Sequence, residues 1–478
     1  MTSPPGREPG RASSLHTRRA LLRAGAGAVT AVAAAGLPAR AAGAAPPGFD
    51  AGSGGGGVDG AQVAWVRGAQ EQLLGITPDG SLIGPIPPPD ERTDWLRAPD
   101  GRHWYVVRGR EDGQRFVTTV QVYSLASGVL LQTIVGHSFP RGTDLDLDLP
   151  APFASPDGRY LVLLHHLRRI DPATIRSVGK GDEHILVGAG TTTIGLEVLD
   201  LASGRSTGYR ELETAAGEND PLFVRFAVFA PDGGRLYVVT GRARPGYGED
   251  YTLTVVGLAG GQPRVEARAN EGQPGHVLPL SSFYGQPPAC FQDTGATLVL
   301  ADMSHVVWLD LRTLNQTGDA TLDYDLAARP FNPVALLAPD GRTLYVVSSG
   351  FGTVRTVDLV RRAYTGKVPL PLGPVAGSVA PGDLPRPGSY QTAALSPDGA
   401  RLYDIDGRTA TGIAVARLPA LRLIARWLPD RALHALWPSP DGRTIYAIAD
   451  RGEAVYVLGS DGTLRHAVRP GVQVANFA

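Results

Sequence analysis

The sequence predicts an all-β fold, a β-propeller of four-stranded antiparallel blades, on three observations. A Pro-Asp-Gly turn recurs along the chain, an aromatic and β-branched run follows each copy, and the 478 residues include 61 glycines and 40 prolines. Composition this rich in turn residues belongs to folds assembled from many short strands.

The turns come first. Ala98-Pro99-Asp100-Gly101 recurs as Ser155-Pro156-Asp157-Gly158, Ala230-Pro231-Asp232-Gly233, Ala338-Pro339-Asp340-Gly341, Ser396-Pro397-Asp398-Gly399 and Ser439-Pro440-Asp441-Gly442, with a degraded copy at Gln292-Asp293-Thr294-Gly295. Proline sets φ for the second turn position, aspartate bonds to nearby backbone amides, and glycine supplies φ > 0. The acids are therefore read as turn formers and not as a catalytic series.

The strands follow. Trp104-Tyr105-Val106-Val107, Tyr160-Leu161-Val162-Leu163, Leu236-Tyr237-Val238-Val239, Leu344-Tyr345-Val346-Val347 and Ile445-Tyr446-Ala447-Ile448 each come just after a turn. A second strand follows in each unit, as in Leu196-Glu197-Val198-Leu199-Asp200-Leu201 and Val354-Arg355-Thr356-Val357-Asp358-Leu359, then a third beyond a polar turn. An apolar strand such as Val334-Ala335-Leu336-Leu337 precedes the turn, making four per unit. Units of roughly 45–60 residues with four strands are propeller blades.

These residues carry a family resemblance. The pattern Ser-Pro-Asp-Gly-Arg-x-Leu-Tyr-Val-Val, then Val-x-Val-Asp-Leu, resembles the YVTN repeat (WD40/YVTN-like) and the lactonase-like β-propellers. Its best copy runs from Gly341 to Leu359, and the resemblance covers about residues 61–478. It implies the propeller architecture. For activity it implies hydrolysis of a sugar lactone at the channel mouth, by fold analogy only.

The two ends complete one another. Residues 62–86 align without a gap on the strands that begin at Thr444, so they read as the last three strands of a blade lacking its first. Val472-Gln473-Val474-Ala475-Asn476-Phe477 can supply that strand. Seven complete blades and one split blade make eight; seven, the common size in the resembled family, is the alternative.

Before the repeats, Thr17-Arg18-Arg19-Ala20-Leu21-Leu22-Arg23 precedes an Ala-rich apolar run and small-residue cleavage candidates at 39–44. This reads as a twin-arginine export signal over residues 1–44. A Gly/Pro-rich linker follows over 45–60 and the propeller over 61–478. Export places the protein in the periplasm, at the cell wall or outside the cell. No cysteine follows the cleavage candidates, so no lipoprotein anchor is expected, and after the signal no apolar run is long enough for a membrane span.

Charge narrows the partners. Residues 1–44 hold six arginines and one glutamate, so the remainder has 39 basic and 45 acidic residues, a formal net charge of −6. Such a balance argues against nucleic acid as partner. The single cysteine, Cys290, allows no internal disulfide, thiolate zinc cluster or covalent c-type haem, and reads as a buried apolar side chain.

Function in such a scaffold lives in loops. The segments 167–191, 241–250 and 270–285 are long enough to bind. Asp144, His165, Arg225, His305, Asn332, Tyr390 and His434 are the candidate channel-mouth residues, and His137 and His166 lie on the same face. Imidazoles can serve as bases or metal ligands. His165 and His166 are adjacent, so in a strand they point to opposite faces. Tyr284, Tyr390 and Trp437 could stack on sugar rings. No cofactor is expected. Asp144, Asp146 and Asp148 have calcium-loop spacing, but Leu149 stands where that loop needs glycine, so an acidic strand face is the better reading and a divalent metal such as calcium the alternative. Serine-hydrolase, zincin and P-loop motifs are absent.

The expected function is a monomeric binding or interaction module for a protein or cell-envelope glycan, acting through the loop face. The alternative is a lactonase-like hydrolase whose base and oxyanion groups would come from the histidines, Arg225, Asn332 and Asp144. A quinone-dependent dehydrogenase fits least, because the six tryptophans do not fall in a docking pattern.

Overall fold

The computed structural model describes residues 62–477, except 69–71, 87–92, 141–144, 148–149, 181–182, 219–221, 244–248, 271–288, 293–294, 302–304, 324–333, 349–351, 371–391, 406–410 and 450. The expected signal and linker, with Asp144, Tyr284, Asn332 and Tyr390, lie outside the described residues.

The chain is an all-β propeller of four-stranded antiparallel sheets. The first sheet is split between the two ends: Leu82–Ile86, Leu73–Ile76 and Ala64–Gly68 pair in that order, and Val474–Phe477 adds to Ala64–Gly68. The second runs Thr93–Arg97, His103–Asp112, Arg115–Ser124, Leu130–Pro140. In the third, Tyr160–Ile170, Ala189–Asp200 and Arg205–Glu218 follow an inner strand broken into Leu145–Leu147 and Ala151–Ala154. The fourth, fifth and sixth begin with Leu222–Phe229, Ala289–Gln292 and Val334–Leu337 and run in simple sequence order.

These six sheets stand separately, where the repeat predicts eight or seven separate blades. Beyond them, and apart from the two-stranded hairpin Arg176–Lys180 with Glu183–Val187, the described strands from Ala393–Leu395 to Leu464–Val468 form one seven-stranded sheet. The reason is the strand Arg422–Pro438. Its first part pairs with Thr411–Arg417 and its last part with Thr444–Ala449, so one continuous strand serves two neighbours. It turns at Leu428, where φ is 49°, and Pro429 follows.

The repeated turns form as their chemistry dictates. Gly101, Gly158, Gly233, Gly341, Gly399 and Gly442 all sit at φ between 65° and 69°, and each donates its N–H to the residue three before it. The aspartate Oδ1 accepts from the amide two residues on, as in Arg159 N to Asp157 at 3.0 Å. Where the turn starts with serine, its Oγ donates to that aspartate and accepts an amide from the next strand (Ser155 to Asp157 2.6 Å; Tyr160 N to Ser155 2.8 Å). The Asp-Leu pair ending the third strand closes the same end: Leu201 and Leu359 donate N–H to Arg159 and Arg342 carbonyls just past the turns.

Fourth strands are the exposed ones. In Leu464–Val468 only Val468 is buried, and Ala363–Pro369 has no buried residue. The first strands therefore face the axis. Both faces of each sheet are apolar because each packs on a neighbour: Val63, Trp65 and Leu73 of the first meet Trp104 and Val106 of the second, and Val299 and Trp308 of the fifth meet Leu344 and Val346 of the sixth. Burying a large side chain in these seams contributes roughly 1.5–3 kcal/mol. Across the split, Tyr446 Oη donates to the Gln62 carbonyl at 2.9 Å. No helix among the described residues is long and apolar enough to cross a membrane.

Candidate functional site

The second and third sheets have the longest second strands, one and two residues longer than Arg235–Ala243 of the fourth, which has 9. Their second strands, His103–Asp112 and Tyr160–Ile170, have 10 and 11 residues, against 6 in Thr343–Ser348 of the sixth sheet. All three begin at the Pro-Asp-Gly end, so the extra length projects from the opposite face. The segment 167–191, expected as a loop, is largely strand: it continues Tyr160–Ile170, forms the hairpin Arg176–Lys180 with Glu183–Val187, and enters Ala189–Asp200.

In this extension the two sheets meet through a polar cluster under aromatic cover. Glu197 is 0% exposed and His165 is 1% exposed, and His165 Nε2 is 3.0 Å from Glu197 Oε2. The other carboxylate oxygen accepts the backbone N–H of His137, on the outer strand of the second sheet. A fully buried carboxylate survives only with such donors. Glycine eases the approach, since a Cβ at Gly136 would stand 3.1 Å from both Glu197 oxygens, a tight contact.

Above this base the His137 ring stacks on Tyr209, centroids 4.6 Å apart and 7° from parallel. Phe139 presents its edge to His137 at 4.8 Å, to His165 at 4.9 Å and to Tyr209 at 5.5 Å. Desolvation by these rings pushes the His137 pKa below its ordinary range, although the Glu197 charge acts the other way. Burial, reinforced by Glu211 and Glu197, pushes the Tyr209 phenol up. At neutral pH the cluster thus presents a neutral imidazole and a protonated phenol. Tyr209 Oη is buried against Gly195 and has no hydrogen-bond partner among the described residues. These rings wall a cleft of about 200 Å3, with Pro140 and Leu167 on the apolar side and Arg169, Thr193 and Glu211 on the polar side.

Of the sequence-predicted residues, His165 and His137 stand in this cluster. His166, next to His165, turns the other way and bonds the Leu222 carbonyl of the fourth sheet at 2.9 Å. Arg225 and His434 hold matching positions elsewhere: each is the extra residue of a bulge in a first strand, between Val224 and Phe226 and between Leu433 and Ala435. His305 opens the strand His305–Asp310 opposite Thr321. Trp437 packs on Tyr446 and Phe477 with the Arg97 guanidinium 5.6 Å from its ring, a seam contact. Cys290 lies in the first strand Ala289–Gln292. Asp146 lies in the broken inner strand, opposite Arg168. Among the described residues no three His, Cys, Asp or Glu side chains gather as a metal site.

Glu197, Tyr209 and Phe139 escaped the sequence reading. One signal was available: a lone acid inside the apolar strand Leu196-Glu197-Val198-Leu199, a position that must be buried and so must be paired.

Sheet order, turns and seams together define a β-propeller. In agreement, the structure matches the dihydro-heme d1 dehydrogenase NirN, solved in complex with DHE, with a TM-score of 0.53 at 15% identity over 92% of this chain and 77% of that one. That likeness concerns the fold. A chain of the mitotic checkpoint complex matches at a TM-score of 0.40 and 13% identity, over 79% of this chain and 86% of that one. No family model and no curated protein matches the chain.

Proposed function

We propose that the protein is an exported, monomeric β-propeller that binds a cell-envelope glycan through the face opposite its Pro-Asp-Gly turns. The observation that carries this reading is the pair of long hairpins in the second and third sheets, which wall an aromatic cleft between them. Binding sites are concave, largely apolar and furnished with a few placed polar groups, and a rigid scaffold loses little entropy on engaging a ligand.

Eight blades, one split, is the ring size we infer. The seven-stranded sheet divides at Leu428-Pro429 into two four-stranded halves that share an apolar seam. One half packs on the sixth sheet and the other on the split sheet, so the seams run round without interruption. The turn-and-strand repeat supports kinship with the YVTN-type propellers, and Arg18-Arg19 with the run behind it supports twin-arginine export.

Co-sedimentation of residues 45–478 with insoluble cell-envelope polysaccharide tests the function. We expect retention that soluble envelope oligosaccharide competes away; recovery wholly in the supernatant overturns it. A lactonase-like hydrolase is the second reading. It is favoured by Arg225 and His434 on inner-strand bulges, a device that re-aims side chains beside active sites. Hydrolysis of a sugar lactone that disappears in His434→Ala supports it, and the absence of lactone turnover ends it.

A further inference from the structure

The seam between the split sheet and the second sheet lacks a contact that three other seams make. Seven residues past the turn glycine, the second strand carries His165 in the third sheet, Thr240 in the fourth, Ser348 in the sixth and Arg108 in the second. The first three are held. His165 meets Glu197 at 3.0 Å, Thr240 donates to Glu213 on the outer strand of the preceding sheet, and Ser348 accepts from Arg355 Nη1 at 3.0 Å. Arg108 is not held. The residue placed to do so, Gln121, pairs with Val106 as Glu197 pairs with Leu163, but its Oε1 accepts the Tyr123 hydroxyl at 3.0 Å instead. Among the described residues none bonds or ion-pairs with the Arg108 side chain, and its Nε is buried.

A second cation faces it. Trp104, Val106 and Arg108 alternate onto the side of the second sheet that packs on the first, and Val63, Trp65 and Arg67 onto the facing side of the first. The Trp65 and Trp104 rings meet edge to face with centroids 6.1 Å apart. Arg67 and Arg108 each follow two residues later, toward the face opposite the Pro-Asp-Gly turns, and both are half-buried. Their paired neighbours, Leu73 and Asn476 for Arg67 and Thr93 and Thr119 for Arg108, are uncharged. Arg67 already interacts within the protein, so Arg108 is the group left to an outside partner.

A guanidinium is always charged and has donors only. Held in a seam without an acceptor, it carries a desolvation cost that nothing in the protein offsets. An oxyanion supplies the missing acceptors, and the planar fork of the guanidinium fits two of its oxygens. Burial of Nε fixes the Arg108 stem while its terminal nitrogens keep access to solvent, so little ordering is lost on binding.

We propose that this seam binds an oxyanion, a carboxylate or phosphate group of an incoming ligand, with Arg108 in direct contact and Arg67 adding positive charge from the facing sheet. The site is separate from the cleft between the second and third sheets and does not depend on the glycan reading.

Melting temperatures of residues 45–478 test it, titrated with inorganic phosphate and with glucuronate at constant ionic strength, and with glucose as the uncharged comparison. A saturating rise with at least one anion and none with glucose is expected. Arg108→Met, which keeps the apolar stem and removes the charge, should lose the rise; the general effect of phosphate on folded proteins persists in that variant and is subtracted. Arg67→Gln should weaken the apparent affinity by about tenfold, the worth of a charge-assisted hydrogen bond. A rise with glucuronate alone identifies a carboxylate ligand and one with phosphate alone a phosphate ligand, and either supports the site. Without anion, Arg108→Met should melt no lower than the wild type, because it loses no partner in the protein. No saturating rise, an equal rise in Arg108→Met, or a large loss of stability in that variant without anion overturns the proposal.

Discussion

Glu197 and Arg355 hold the same position in their sheets and make the same reach with opposite charge. Glu197 pairs with Leu163, five residues past the turn glycine Gly158, and Arg355 pairs with Val346, five past Gly341. Each crosses to the preceding sheet, Glu197 accepting the His137 N–H on its outer strand and Arg355 Nε donating at 2.6 Å to the carbonyl of Asp323, two residues past the outer strand Gln316–Thr321. Each also holds a polar residue seven past the turn glycine: His165 for Glu197, and Ser348, 3.0 Å from Arg355 Nη1, for Arg355. Backbone groups can be donor or acceptor, so a seam can be clasped by either charge. Where the clasp is acidic, a histidine follows and the site described above grows over it.

Removing either clasp should cost far more than removing an exposed ion pair. Glu197→Ala strands His165 and an amide in the interior, and an expected loss of about 3–5 kcal/mol follows from breaking a buried pair. Arg355, 2% exposed, should behave alike. The exposed pair Arg235–Glu266, at 2.7 Å, is the control: Glu266→Ala should change stability by no more than about 1 kcal/mol. Urea denaturation of the three variants decides the point, and equal losses would refute the clasp.

Closure of the ring through Val474–Phe477 makes the C-terminal residues disproportionately important. Deleting residues 472–478 exposes the Ala64–Gly68 edge and uncovers Trp437 and Val66. An open sheet edge is also an aggregation hazard. The truncated chain should melt well below the parent and form oligomers in size-exclusion chromatography. Tyr446→Phe, which loses only the bond to Gln62, should cost about 1 kcal/mol. A truncated chain that melts with the parent would mean that the split sheet does not hold the ring.

Much of this was legible in the chain. The Ser/Ala-Pro-Asp-Gly copies name the turns because φ, side-chain acceptor and amide are all specified locally, and the gap-free match of residues 62–86 to the strands after Thr444 locates the seam. The continuous strand Arg422–Pro438 was not legible, because Pro429-Asp430 carries turn chemistry that reads locally as the end of one strand and the start of another. The site was half legible. His165 and His137 stood out as a residue type, whereas Glu197 and Arg355 were hidden as single charges in apolar strands. Laying Leu196-Glu197-Val198-Leu199-Asp200-Leu201 over Val354-Arg355-Thr356-Val357-Asp358-Leu359 puts the two in register. What they touch depends on the neighbouring sheet, which no local pattern encodes. Arg225 and His434 show the converse: their shared bulge comes from strand pairing and not from sequence.

His137 gives the protein a pH dependence of definite sign. Desolvation lowers its pKa in the fold, so folding favours the neutral ring. That contribution is complete above the unfolded value, about 6.5, and is lost as pH falls through the depressed folded value. The difference in melting temperature between the wild type and His137→Gln should therefore shrink or reverse between about pH 8 and pH 5, because the glutamine does not titrate. The other histidines cancel in the difference. An invariant difference would place the titration elsewhere.

The turn aspartates act in a lower window. Ser396 Oγ bonds Asp398 Oδ1 at 2.5 Å and the Ala400 amide adds a second bond at 3.0 Å, which together hold the carboxyl below the ordinary range. A depressed acid contributes stability that is present above its unfolded pKa, near 3.9, and is lost as pH falls through its folded one. Asp398→Ala should accordingly be destabilising at neutral pH, with the gap to the wild type closing below about pH 4. Ser396→Ala removes the larger of the two causes and should narrow that pH-dependent part while leaving the Ala400 bond intact. Acid titrations of melting temperature on the three proteins separate the contributions. A gap between Asp398→Ala and wild type that persists undiminished at low pH would show that the turn is held by the aspartate's shape and not by its charge.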